Sequence, residues 1–399
     1  MSKRLVHTPE GVRDIYGAEY EKKRKVEKLL HRTFLQFGYQ DIQTPSFEFF
    51  DVFGKEIGTT ASKDLYKFFD KEGNTLALRP DFTPSMARCA AKYFMEETLP
   101  VRFTYHGNAF VNTSNLQGKL KETTQMGVEL FNDDSVLADA EMIALAVEAC
   151  RAAGLKEFQI SVGNIEFFKG ICEEIGLSEE DELALREYIS AKNYFGAEEF
   201  LISVGVKREQ AQVALKAADG FGSADFLQEA KALVSNTRSL DAIDRLQSLY
   251  EALEVYGVTK YISFDLSMVI KYHYYTGVIF KGYTYGVGDA FLTGGRYDKL
   301  LSYFGKDAPA IGFMITIDEL MIALESQKLA VAKDADIVLL LYKKDCCKQA
   351  IQTAAAMRAQ GQKVELMLKS EELPLSVYET FAKNNQIKEI DTRYIENEG

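Results

Sequence analysis

The spacing of apolar positions divides the chain into three patterns. In the first 160 residues helical and strand periods alternate. Val26, Leu29, Leu30, Phe34 and Phe37 recur at helical spacing across residues 17–37, and Gly38 supplies a stop. Strands are predicted at Tyr39–Thr44, at the start of "TLALRPDFT" (75–83), through "VRFTYHGNAFV" and "TQMGVELFN", and at "FQISVG" (158–163). Helices are predicted at Pro84–Phe94 and Leu137–Ala153. Residues 166–256 read differently: rich in Glu, Ala, Leu and Lys, they predict several short helices. Strands then return at "ISFDLSMVI" (262–270), "YYTGVIFKGYT" (274–284), "DAFLTGG" (289–295) and Ala310–Ile315, with helices at Tyr297–Phe304 and Ile317–Gln327. The tail alternates "ADIVLLLY", a helix at Asp345–Gln360, "KVELML", a helix at Leu375–Asn384 and "IKEID".

These patterns predict an α+β fold. An antiparallel sheet core with helices spans residues 1–165 and 257–327, interrupted by a helical insertion at 166–256. Residues 331–399 form a small α/β domain with a parallel sheet, the boundary lying near Lys328–Asp334.

The chain has 399 residues, too long for one simple core, and its composition is that of a globular protein: 47% hydrophobic and 27% charged. No apolar run is long enough to span a bilayer, and "MSKRLVHTPEG" lacks the apolar centre of a secretory signal, so a cytoplasmic location is expected. Cys89, Cys150, Cys172, Cys346 and Cys347 are odd in number and irregular in spacing, which argues for reduced structural thiols and against a disulfide framework or zinc site. Net charge is −12, with no basic stripe of the kind that grips a phosphate backbone.

Several stretches carry candidate chemistry. In a strand "TQMGVEL", Gln125, Gly127 and Glu129 share one face and Met126, Val128 and Leu130 the other. This is either a solvated face or a polar floor for a ligand bearing an ammonium or ring N–H. "LRPDFT" brings Asp81 and Thr83 together, which is either a turn or a hold on an ammonium. Tyr274 and Tyr275 begin a predicted strand as aromatic walls with hydroxyl tips, or as an ordinary sheet face, and Gly277 allows close approach. "LTGGRYDKL" is expected to end a strand at Gly294–Gly295 and open a helix, with Arg296 and Asp298 paired or facing a ligand. The loop 112–122, with Lys119 and Lys121, reads as a phosphate cover or a plain hairpin loop. His273 has no partner at metal spacing, so neither a metal nor a cofactor is expected.

Taken in order over residues 5–325, these stretches resemble the class II aminoacyl-tRNA synthetase core, and specifically the histidyl-tRNA synthetases. "TPEGVRDI" (8–15), "IQTPSFE" (42–48), "LRPDFT", "YHGNAFV" through "QMGVEL", "YYTGVIF" and "GGRYD" each look like a family segment. The departures bear on function. Phe110 is followed by Val111, Asn112 and Thr113 where the family has Arg-x-Glu; Ile270 stands where it has a histidine-specific arginine; "TIDELM" supplies Asp318 and Glu319 where it has a Glu and then an Arg. Loss of one well-placed donor to developing charge costs roughly 10²–10³ in rate, so three losses imply negligible adenylation.

The resemblance implies that the amino-acid half of the site persists. Asp81, Thr83 and Gln125 would face the ammonium of histidine, Glu129 with Tyr274 or Tyr275 its imidazole, and Arg296 would join this ligand-binding set. There would be no catalytic residues. The pattern is similar to that of the non-catalytic synthetase paralogues that act as regulatory subunits of ATP phosphoribosyltransferase. Resemblance to them implies a self-dimer, a short-form catalytic ATP phosphoribosyltransferase chain as partner in a hetero-octamer, feedback by histidine at the first step of histidine biosynthesis, and no tRNA. The tail fits a trimmed anticodon-binding domain, with ten Lys/Arg against eleven Asp/Glu from Val331 onward. An active synthetase with an altered site, and a synthetase-like module serving another partner, are the competing readings.

Overall fold

A computed structural model describes residues 6–54, 60–113, 119–268, 274–329, 337–385 and 387–395. The elements in the first half are α1 (Gly17–Gln36), β1 (Gln40–Asp41), β2 (Phe47–Phe49), β3 (Lys67–Phe69), β4 (Thr75–Leu78), α2 (Thr83–Tyr93), β5 (Val101–Phe110), β6 (Glu122–Phe131), α3 (Val136–Ala152) and β7 (Gln159–Asn164). The helical stretch holds α4 (Ile165–Glu174), α5 (Glu179–Ser190), α6 (Tyr194–Ser203), α7 (Arg208–Ala218), the short β8 (Phe221–Gly222), α8 (Ala224–Lys231) and α9 (Thr237–Tyr256). Then come β9 (Ile262–Asp265), β10 (Val278–Tyr283), β11 (Leu292–Arg296), β12 (Ala310–Thr316) and α10 (Ile317–Ser326). The tail holds β13 (Ile337–Tyr342), α11 (Cys347–Ala359), β14 (Lys363–Leu368), α12 (Leu375–Asn384) and β15 (Glu389–Tyr394). Among the described residues no helix is long and apolar enough to cross a membrane.

The chain divides into two units, Met1–Arg13 with Glu27–Ala330 and Asp14–Val26 with Val331–Gly399. The stretch Asp14–Val26 thus groups with the tail, not with the core in which its place in the sequence put it. In the first unit one sheet runs in the order β1-β5-β6-β12-β11-β10-β7-β9-β8. All its pairings are antiparallel except β1 with β5 and β7 with β9. The apolar alternation of β6 is realised: Met126, Val128 and Leu130 are buried in the core. Helix α3 starts where Ser135 accepts a hydrogen bond from the Ala138 N–H at 3.1 Å, and α9 ends at Gly257, whose left-handed φ of 70° suits glycine. The helices between have their own apolar cluster, including Phe168, Leu185, Ile189 and Leu201.

In the second unit β13 lies between β14 and β15, all parallel. Its apolar run is covered on both faces, Leu339 and Leu341 packing with Tyr378 of α12, and Leu340 with Ala350 and Ala354 of α11.

Three expectations fail locally. Tyr274–Thr276 precede β10 and do not start it. Gly294 and Gly295 lie inside β11, in register with Phe313 and Gly312 of β12. The helix expected from Tyr297 shrinks to a 3₁₀ turn at Leu301–Phe304, because the Tyr297 N–H still donates to the Ala310 carbonyl, at 2.8 Å.

Candidate functional site

Register sets the floor of the site. Residues paired across neighbouring strands point to the same side of a sheet. One rank runs Glu129, Gly312, Gly295, Ile279 across β6, β12, β11 and β10; the next runs Gly127, Met314, Thr293, Lys281. Gln125 and Thr316 begin a third. Above these ranks lies a cavity of about 460 Å³, lined by Asp81, Thr83, Gln125, Tyr274, Tyr275 and Tyr297 among others.

The loop from β4 to α2 carries two of these groups. Arg79 is buried and donates to the carbonyls of Asn108 (2.8 Å) and Thr44 (3.1 Å). Its guanidinium lies 3.9 Å from the Phe82 ring centroid, and Phe82 stacks on Tyr105 at 4.3 Å. This fixes Asp81 and Thr83 over the sheet, on either side of Phe82. Burial pushes the Asp81 carboxyl up to about 7, opposed by the Thr83 backbone N–H. Gln125 is buried, and its amide oxygen has no hydrogen-bond partner among the described residues.

Glu129 is buried below them. It accepts hydrogen bonds from the Thr83 hydroxyl at 2.9 Å and from the Tyr297 hydroxyl. Burial raises its carboxyl to about 8; the two hydroxyls work against that rise, and Asp81 adds to it. Tyr297 and Tyr105 are raised well above the usual phenol value, chiefly by burial and then by Glu129. Tyr274 and Tyr275 are buried with ring centroids 4.4 Å apart, and Tyr274 meets Tyr297 edge-on at 5.9 Å. The site is therefore an amphiphilic box: phenol walls, the Asp81 carboxyl and an unsatisfied amide oxygen line it, while Glu129 lies one layer behind, bonded to Thr83 and Tyr297 of the lining and not itself among the lining residues.

Arg296 does not belong to it. Strand alternation turns Arg296 away from the face shared by Gly295 and Tyr297. Its guanidinium donates to the fully buried Asp139 of α3 at 2.6 and 2.9 Å, to the Asp133 carbonyl at 3.0 Å and to Asp298 at 3.1 Å. Arg245 of α9 meets the other oxygen of Asp139 at 2.6 Å. Burial raises the Asp139 carboxyl, and the guanidinium of Arg296, then that of Arg245, opposes it. Asp298 in turn accepts from the Thr276 hydroxyl at 3.0 Å. Arg296 thus anchors the segment behind the tyrosine pair. Tyr297 and Tyr105 take the places that sequence reading left empty; the same two-residue alternation applied to "GGRYD" would have selected Tyr297.

Val111 lines the cavity, and no arginine is among the described residues that do. Glu319 lies in the first turn of α10 beside Asp318, and burial, then Asp289 and Asp318, raises its carboxyl. Lys119 is committed to Asp289 at 2.6 Å. Ile270 and His273 lie outside the described residues. Among the described residues no group of three His, Cys, Asp or Glu side chains could hold a metal ion.

Residues 11–320 match the histidyl-tRNA synthetase family. The chain is 41% identical over 365 residues to the ATP phosphoribosyltransferase regulatory subunit of Ruminiclostridium cellulolyticum, covering 92% of this chain and 87% of that one. The chain belongs to the family of ATP phosphoribosyltransferase regulatory subunits. The family member from Acetivibrio thermocellus is also 41% identical, over 92% of this chain and 88% of its own. Among solved structures, an ATP phosphoribosyltransferase regulatory subunit/histidyl-tRNA synthetase from Bacillus halodurans superposes with a TM-score of 0.87 at 30% identity, covering 97% of this chain and 98% of that one. A histidyl-tRNA synthetase from Nostoc, at 20% identity and a TM-score of 0.79 over 96% of this chain and 90% of that one, shares the fold.

Proposed function

We propose that this chain is a non-catalytic, histidine-sensing regulatory subunit of ATP phosphoribosyltransferase. It activates a short-form catalytic chain at the first step of histidine biosynthesis and helps transmit feedback by histidine. It works in the cytoplasm as a self-dimer within a hetero-octamer, without tRNA. The observation that carries the ligand is the cavity's chemistry. The Asp81 carboxyl and the unsatisfied Gln125 amide oxygen suit an ammonium, by charge-assisted hydrogen bonding. Tyr275 and Tyr297 line the other end, and Glu129, bonded behind Tyr297 and Thr83, sets the polarity of their hydroxyls, which suits a ring whose nitrogens both donate and accept. A cavity of about 460 Å³ is ample for one amino acid.

The nucleotide half is degenerate on this reading. Val111 lines the wall where an arginine would meet phosphate, and at the start of α10 Asp318 and Glu319 stand as carboxylates, Lys119 nearby being paired with Asp289, so nothing there offers polyphosphate a free cation among the described residues. Calorimetry with histidine and with ATP tests the ligand: histidine binds and ATP does not. Histidine-dependent ATP–pyrophosphate exchange would instead favour an active synthetase. Co-purification with a short catalytic phosphoribosyltransferase chain tests the partner, and failure to form that complex would sink the regulatory role.

A further inference from the structure

Lys281 is a cation that the site described so far does not use. It lies in β10, lines the cavity, and is partly buried. Its ammonium makes no hydrogen bond or ion pair with the described residues, and among those lining the cavity it is the only Lys or Arg. Burial lowers its pKa; the carboxylates of Asp265 and Asp289 oppose that without contacting it. Asp265 is itself held by the Ser267 hydroxyl and N–H, and Asp289 by Lys119. A partly desolvated ammonium facing a cavity with no contacting counter-ion among the described residues is a costly arrangement, and an anion entering the cavity relieves it.

The register shows where that anion would lie. Lys281 pairs directly with Thr293 of β11, so ammonium and hydroxyl share one face, one strand apart. Thr293 stands two residues along β11 from Gly295, over which the Tyr275 ring lies. Two residues of strand span about 6.8 Å, comparable with the reach from the ring to the carboxylate of an extended histidine. Asp81 and Gln125 approach from the β6 side of the cavity and Lys281 from the β10 side. The two charges of an α-amino acid then meet opposite partners, with the ring in the Tyr275–Tyr297 end.

We propose that Lys281, assisted by the Thr293 hydroxyl, is the carboxylate-recognising residue of this cavity, making it selective for a zwitterionic amino acid over amines that lack the acid. The inference rests on the reading of the cavity as a histidine site. It also gives the ligand carboxylate a cation in a chain whose position 270 is isoleucine.

The test is calorimetry on the full chain with histidine and with histidinol, in which a hydroxymethyl group replaces the carboxylate. Wild type binds histidine at least about tenfold more tightly than histidinol, the scale of one charge-assisted bond. Lys281→Met loses that preference by weakening histidine alone; Lys281→Arg keeps most of it. Thr293→Val, a milder change, reduces the ratio in the same direction and serves if Lys281→Met fails to fold. An unchanged histidine-to-histidinol ratio in folded Lys281→Met overturns the assignment while leaving the histidine site intact. Absence of histidine binding to wild type overturns both.

Discussion

Replacing Asp139 by Asn tests how the tyrosine side of the cavity is held. Asp139 is fully buried and receives Arg296, whose side chain is 4% exposed, and Arg245, whose side chain is 28% exposed. The two bonds are therefore unequal. Removing the carboxylate charge leaves the Arg296 guanidinium buried against two backbone carbonyls and the partly exposed Asp298, and breaking a buried pair from one side costs about 3–5 kcal/mol. Arg245→Met removes the wetter partner, leaves the Asp139 charge met by Arg296 but its second oxygen unpaired, and costs about 1–3 kcal/mol. Against a stability of roughly 5–15 kcal/mol, the first change is severe and the second milder. Urea unfolding followed by circular dichroism measures both. In the Asp139→Asn background Arg245→Met adds almost nothing, because the two residues share one interaction. Equal losses from the two single variants, or an Asp139→Asn variant within about 0.5 kcal/mol of wild type, would refute the assignment of Arg296 to this network.

Three other outcomes are expected. Glu129→Ala and Tyr275→Ala each weaken histidine binding by at least about tenfold while the catalytic chain still co-purifies; unchanged affinity in both would move the ligand elsewhere. Glu129 and Asp81 titrate at about 8 and about 7 in the folded chain, against ordinary values of 4.5 and 3.8. The native state therefore keeps protons that the unfolded chain has released. Stability without ligand falls as pH rises from about 4 to about 8, by at most about 1.4 kcal/mol per unit for each group. Melting temperature against pH is flatter in Glu129→Gln than in wild type, and identical slopes would show that Glu129 is not protonated in the fold. Val111→Arg alone creates no ATP–pyrophosphate exchange, since Glu319 still stands at the mouth of α10; measurable exchange would mean that one arginine suffices.

Periodicity made most of the fold legible because its long elements are strongly patterned. The apolar run of β13 marked a strand of a parallel sheet, and the alternation in β6 separated Met126, Val128 and Leu130 from Gln125 and Glu129. Failures came where register overrides local chemistry. Gly294 and Gly295 look like a strand end, yet they are held mid-strand by β10 and β12. Arg296 looked like a ligand grip because its partner, Asp139, is 157 residues away and local spacing cannot show it. Tyr105 and Lys281 were passed over for the same reason: their importance comes from ranks formed across β5, β6, β12, β11 and β10, not from their neighbours in the chain.

The glycines beneath the cavity have a consequence for how its selectivity can change. A Cβ at Gly312 would occupy the place of the Glu129 carboxylate, one at Gly295 would meet the Tyr275 ring, and one at Gly127 the Tyr105 hydroxyl. Each polar wall group therefore lies flat against a neighbouring strand's bare backbone. The depth of the box is set by what three positions lack. A single added methyl there would displace a carboxyl or phenol and also press on a backbone carbonyl (Val128 at Gly312, Val278 at Gly295, Phe313 at Gly127), so the strands themselves must shift, without removing any group that recognises the ligand. Loss of sensing could thus arise at residues that carry no chemistry, leaving the recognition set complete but out of reach.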